Sequence, residues 1–147
     1  MSKPTTLRLI YPPNPHGSAA SPYAPAVLTA PGGALLFVSG ANASPLYHAH
    51  PHVPEEHQVP NSMREQAHLT FRNIKMSLDA AGVDWGDVIK VTRYLTDMRD
   101  MDELNAVQRE YLGEHRPAST TLGVSHLTTP WARLEVDIVA SVPPERS

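Results

Sequence analysis

Arg116-Pro117-Ala118-Ser119-Thr120-Thr121-Leu122-Gly123-Val124, read with the later run Arg133-Leu134-Glu135-Val136-Asp137-Ile138-Val139-Ala140, decides the fold. The second run alternates, with Leu134, Val136, Ile138 and Ala140 on one face and Arg133, Glu135 and Asp137 on the other. A period of two with one apolar face marks a strand laid against a core. Its polar face carries two carboxylates and an arginine, which suits either open water or a cleft. The Pro-Ala-Ser-Thr-Thr run sets three hydroxyls in a row on what reads as the neighbouring strand. Hydroxyls facing a carboxylate across a sheet can hold a polar ligand or a water; the plain alternative is a pair of partly exposed strands.

Working outward, Thr5 to Tyr11 and Ala26 to Leu28 read as short strands. Ala34 to Ser39 is a continuous apolar strand, and the Pro31-Gly32-Gly33 turn before it suggests a hairpin with the second strand. A helix opens at Ser62, whose hydroxyl with Glu65 forms a capping-box pattern, and buries Ala67, Phe71, Ile74, Leu78 and Ala81 on one stripe. Gly82 ends it. Val88 to Leu95 alternates again, with Arg93 out of place on the apolar side. Asp97 to Asp100 starts a second helix with Met101, Leu104, Gln108 and Tyr111 on one stripe and Gly113 at its end. The pattern predicts an α+β domain in which two helices cover one face of a mixed six-stranded sheet. The other face would be left bare, so oligomerisation through it is expected.

The bounds agree with a single domain over 1–147, closed by a short tail from 142 to 147. A net charge of -3 argues against an electrostatic grip on nucleic acid. No apolar run is long enough to span a membrane, and the first residues lack the apolar core of a secretory signal. The absence of cysteine excludes thiol catalysis and disulfides and fits a cytoplasmic protein.

Residues 42–60 form a proline-dense insertion loop holding four of the eight histidines: His48, His50, His52 and His57. An extended His48-Ala49-His50-Pro51-His52 would point three imidazoles one way, and imidazole is a good ligand for zinc, nickel or copper. Three readings stand: a metal site at His48, His50 and His52, a pocket wall or lid, or a solvated insertion. No rigid element fixes the loop, so no metal and no cofactor is assigned. His16, His68, His115 and His126 have no partners by spacing and read as surface residues.

Ser21-Pro22-Tyr23-Ala24, Phe37-Val38-Ser39-Gly40, Gln66 with Asn73-Ile74, Leu78 to Gly82, Asp87 to Thr92, Leu95-Thr96-Asp97, Asn105-Ala106-Val107, Arg116 to Thr120 and Leu134 to Asp137 occur in one register over residues 21–141. That series resembles the RidA (YjgF) family. The resemblance implies a chorismate-mutase-like domain, a homotrimer with clefts between subunits, and hydrolysis of reactive enamines and imines to ammonia and a ketone. It also implies a cleft lined here by Tyr23, Ser39, Gly40, Asn105, Ser119, Thr121 and Glu135.

One position departs from the family. Deaminating members carry an arginine that clamps the substrate carboxylate where this chain has Ser119. Serine offers no charged, bidentate fork, a loss of roughly 1.5–3 kcal/mol for a charged hydrogen bond. Small 2-imino acids are therefore expected to suit this pocket poorly. Arg133, on the same strand face as Glu135, and Arg93 are the candidate replacement cations; a solvent-facing ion pair is the alternative for Arg133. Glu135 is the expected catalytic residue, positioning or protonating a water, with a cross-strand salt bridge as its plain alternative. Asn105 hydrogen-bonds a ligand or caps a loop. Two functions follow: a RidA-like hydrolase acting on a small catabolic intermediate, or a non-catalytic trimer that binds a metabolite. RNA cleavage, sometimes attached to the family, sits badly with the acidic charge.

Overall fold

The computed structural model describes residues 7–10, 26–29 and 32–146. Six strands and two long helices are present: β1 (Leu7–Ile10), β2 (Ala26–Thr29), β3 (Ala34–Ala41), α1 (Met63–Ala80), β4 (Val88–Leu95), α2 (Met101–Leu112), β5 (Ala118–Gly123) and β6 (Leu134–Val142). The two-helix, mixed-sheet α+β architecture is as expected, but the strands do not form one sheet. Among the described residues β1 and β2 pair only with each other, and the remaining four strands run in the order β3-β6-β4-β5. The hairpin expected between β2 and β3 is not formed among the described residues: β2 pairs with β1, and β3 pairs antiparallel with β6. Nor are β5 and β6 neighbours. β4 lies between them, parallel to β5 and antiparallel to β6.

β6 takes the centre because its apolar face is the most continuous, and Leu134, Val136, Ile138 and Ala140 are all buried as the alternation requires. On β4 the alternation slips. Its register against β6 shifts between Val88 and Lys90, a bulge that turns both Val88 and Val91 into the core and leaves Ile89 half-exposed. α1 lays Met63, Ala67, Phe71, Ile74 and Leu78 against that sheet, and α2 adds Leu104, Val107 and Leu112. Each large apolar side chain so buried stabilises by about 1.5–3 kcal/mol. Phe71 stacks on Tyr111 at 5.2 Å, and Trp85 meets both rings edge-on, which joins the helices.

The Ser62 hydroxyl accepts from the Glu65 amide at the start of α1. A 3-10 turn over Met98–Asp100, capped by Asp97, precedes α2. Two histidines expected at the surface are held by partners instead: His68 Nδ1 lies 2.7 Å from the Tyr111 hydroxyl and His115 Nε2 lies 2.6 Å from the Val88 carbonyl. The sheet face away from the helices carries Leu35, Phe37 and Leu122, all exposed in the single chain, with Phe37 72% accessible. No helix among the described residues is long and apolar enough to cross a membrane.

Candidate functional site

Glu135 projects from β6 on the open face of the sheet, opposite the buried Leu134 and Val136. Beside it β3 makes a bulge. Val38 pairs with Ile138 and Ala41 with Val136, so Ser39 and Gly40 share the space of one partner residue. The bulge brings the Gly40 backbone so close that a Cβ there would lie 2.9 Å from Cδ and Oε2 of Glu135. Only glycine lets that carboxylate take this place.

The carboxylate faces a pocket of about 560 Å³ at the end of β3. One wall is the loop after β3, with Asn42, Ser44, His48, His52 and His57; the other is Thr128 to Trp131. α1 pins both walls with side-chain amides. Asn73 donates to the carbonyls of Asn42 (2.9 Å) and Ser44 (2.7 Å). The buried Gln66 donates to the carbonyls of Pro60 and Trp131 and accepts from the Arg133 amide. Asn42 also donates to Thr129 Oγ1 at 3.1 Å, tying one wall to the other. Partial burial, then the neighbouring Asp137 carboxylate, raises the Glu135 pKa above its ordinary value, and a hydrogen bond from Asn42 opposes the rise.

The other candidates lie elsewhere. Thr121 sits opposite Arg93 in the β4–β5 register, and the Arg93 guanidinium donates to Thr121 Oγ1 (2.9 Å), Asn105 Oδ1 (2.7 Å) and Gln108 Oε1 (3.3 Å). That places Asn105 and Thr121 on the helix side of the sheet, the side opposite Glu135. Ser119, paired with Val91, shares it. Arg93 is buried among neutral oxygens, and burial lowers its pKa to about 10. Arg133 does not share the cleft with Glu135. It precedes β6, and its Nε lies 3.4 Å from Asp100 Oδ2 at the head of α2. Ser39 is exposed in the bulge without lining the pocket, and Tyr23 lies outside the described residues. Within one chain the expected residues thus form two groups, Gly40 with Glu135 and Asn105 with Ser119 and Thr121, on opposite faces.

The histidine loop is largely exposed, yet its imidazoles gather: five ring pairs among His48, His50, His52 and His57 have centroids 4.6–5.0 Å apart, and three of the four histidines line the Glu135 pocket. Asn42, Asn73, Thr129 and Trp131 were not among the residues the sequence singled out for the site. For Asn73 a signal existed: an amide bordering the apolar stripe of α1, where a helix facing only a core has no use for one.

A helix-backed mixed sheet with a carboxylate recessed in a mostly apolar pocket defines a small-molecule site. The profile of the endoribonuclease L-PSP family matches residues 15–142, and the chain belongs to that family, the RidA (YjgF) family of the motif resemblance. "Putative reactive intermediate deaminase TdcF" of Escherichia coli (strain K12) is 30% identical over 111 residues, 74% of this chain and 79% of TdcF. The mitochondrial protein mmf2 of Schizosaccharomyces pombe is 32% identical over 126 residues, 84% of this chain and 90% of mmf2. A RutC family protein of Pyrococcus horikoshii is 45% identical over a shorter stretch, 47% of this chain and 55% of that protein. Among solved structures, the Rid-family protein YyfB of Yersinia pestis superposes with a TM-score of 0.76 at 21% identity, covering 93% of this chain and 99% of YyfB. That likeness is one of fold. Yeast Mmf1 superposes with a TM-score of 0.62 at 25% identity, covering 94% of this chain and all of Mmf1 (100%).

Proposed function

We propose that the protein hydrolyses a reactive enamine or imine to a carbonyl compound and ammonia, with Glu135 moving the protons. The observation that carries this reading is the Glu135 carboxylate, recessed against Gly40 in the pocket and raised in pKa by burial. Such a group takes a proton from water as the water oxygen bonds to the C=N carbon and the π pair moves to nitrogen. It then returns the proton to nitrogen, giving a carbinolamine; a second transfer carries the carbinolamine hydroxyl proton to the nitrogen, so that the C–N bond breaks, ammonia leaves and the carbonyl forms, an enamine first tautomerising to the imine. The kinship with a protein named as a reactive intermediate deaminase supports the same chemistry.

The site is completed by a second copy of the chain in a homotrimer. Support comes from the two residue groups on opposite faces, which one ligand can meet only across an interface, and from the exposed Leu35, Phe37 and Leu122. The substrate is small, and small 2-imino acids are disfavoured: no lysine or arginine lines the pocket among the described residues, and Ser119 offers no charged fork. A net charge of -3 favours this small-molecule role over an RNA substrate.

Ammonia release from freshly generated enamines and imines, carboxylated and uncharged, tests the substrate class. Turnover of bulkier or uncharged substrates above small 2-imino acids is expected. Efficient turnover of 2-imino acids would overturn the preference. Tight binding of such compounds with no turnover of any would make the protein a metabolite-binding trimer.

A further inference from the structure

The geometry points to a transition-metal site built from His48, His52 and His57 in the wall of the Glu135 pocket, taking an ion of the zinc, nickel or cobalt class. It does not rest on the deaminase reading. One ring nitrogen from each of the three histidines lies within 4.8 Å of the others. In a loaded tetrahedral site, metal–nitrogen bonds of about 2.0–2.1 Å set nitrogens roughly 3.3–3.4 Å apart. The cluster is therefore slightly wider than a filled site and closes by small turns of His48 and the exposed His52, both on a loop.

The proton placement favours coordination. His48 Nδ1 lies 3.1 Å from the Pro45 carbonyl, which can only accept, so Nδ1 carries the hydrogen and Nε2 keeps its lone pair. His57 Nδ1 lies 3.2 Å from Ser44 Oγ, a hydroxyl that can accept from Nδ1–H and so leave the Nε2 lone pair free. A ligating histidine commonly gives its second ring nitrogen to just such an oxygen, which fixes the ring and its tautomer. The decisive atom is His57 Nε2. It is buried and has no hydrogen-bond partner, in a place where a polar atom ordinarily has one. A metal ion supplies that partner.

The rest of the loop holds the cluster in shape. The Ala49 amide donates to Glu56 Oε2 at 2.7 Å, and Asn73 fixes the Ser44 carbonyl from α1. Neutral nitrogen ligands with no carboxylate among them suit a borderline transition metal better than magnesium or calcium. Three protein ligands leave a coordination position open, as in catalytic rather than structural sites, and here it faces the pocket that holds Glu135.

The test is equilibrium dialysis of the full untagged chain against zinc or cobalt chloride, read by elemental analysis and by the visible d–d bands of bound cobalt. One ion per chain is expected at micromolar metal, with cobalt bands of tetrahedral or five-coordinate nitrogen ligation. His52→Ala, whose side chain is exposed, should remove that binding while the thermal melt of the metal-free chain stays unchanged. Ser44→Ala should weaken binding about 10–100-fold by freeing the His57 ring. His126→Ala, on the exposed loop after β5, should leave it intact. Binding seen only at millimolar metal, or binding that survives His52→Ala and His57→Ala together, overturns the site.

Discussion

On the proposed deaminase reading, alanine at position 40 should slow ammonia release while leaving the chain folded. The new methyl would sit 2.9 Å from Cδ and Oε2 of Glu135. Comfortable carbon contacts lie near 3.5–4.0 Å, so the carboxylate must retreat by about 0.6–1 Å. The retreat is cheap, because the obstacle is the end of a flexible side chain rather than backbone. Misplacing a catalytic group by about 1 Å costs on the order of 100-fold in rate. Gly40→Ala is therefore expected to lower kcat/KM for ammonia release by about 10- to 100-fold. Alanine in place of a strand glycine changes stability by about 0.5–1 kcal/mol, a few degrees in Tm for a chain of this size. Ammonia release and a thermal melt on the same preparation read both quantities. Full activity in Gly40→Ala, alongside an inactive Glu135→Gln, would refute the claim that this close approach positions the carboxylate.

Four further outcomes follow from the structure. The Glu135 carboxyl is raised, so the acidic limb of the kcat/KM–pH profile should fall above the ordinary glutamate value and vanish in Glu135→Gln. A raised carboxyl binds its proton more tightly in the folded than in the unfolded chain, so its contribution to stability is present at low pH and is lost as pH rises through the raised value; Glu135→Gln should melt higher than wild type near pH 7, with the margin closing toward about pH 4. Gln66→Leu leaves the carbonyls of Pro60 and Trp131 and the amide of Arg133 without their side-chain partner, and denaturant unfolding should show a loss of at least about 2–3 kcal/mol. Phe37→Asp, on the bare face of the sheet, should shift the protein to a smaller species in sedimentation with its far-ultraviolet circular dichroism unchanged.

Periodicity made much of the fold readable. β4 and β6 and the buried stripe of α1 follow directly from where apolar residues recur, because burial is what selects them. Strand pairing was not readable in that way. Nothing in Ala26 to Ser39 tells a hairpin from two strands in different sheets, since the competing partner, β6, lies about a hundred residues further along. The bulges at Ser39-Gly40 and Ile89 were hidden for a related reason: an extra residue shows only against its partner strand. Glu135 was legible as a polar residue on a half-buried strand. Arg133 misled because it falls just outside β6, where the alternation no longer fixes its direction and Asp100 attracts it. The histidine cluster depends on a loop folding back on α1 through Asn73 and Ser44, contacts that no local pattern announces.

The most direct measurement is kcat/KM for ammonia release from an uncharged imine by wild type and by Glu135→Gln, which keeps the side chain's shape and removes its proton chemistry. General acid–base groups contribute about 100- to 10,000-fold, and a loss in that range with the fold intact is the expected result. Equal rates in the two proteins would contradict the assignment of Glu135 as the group that moves the protons.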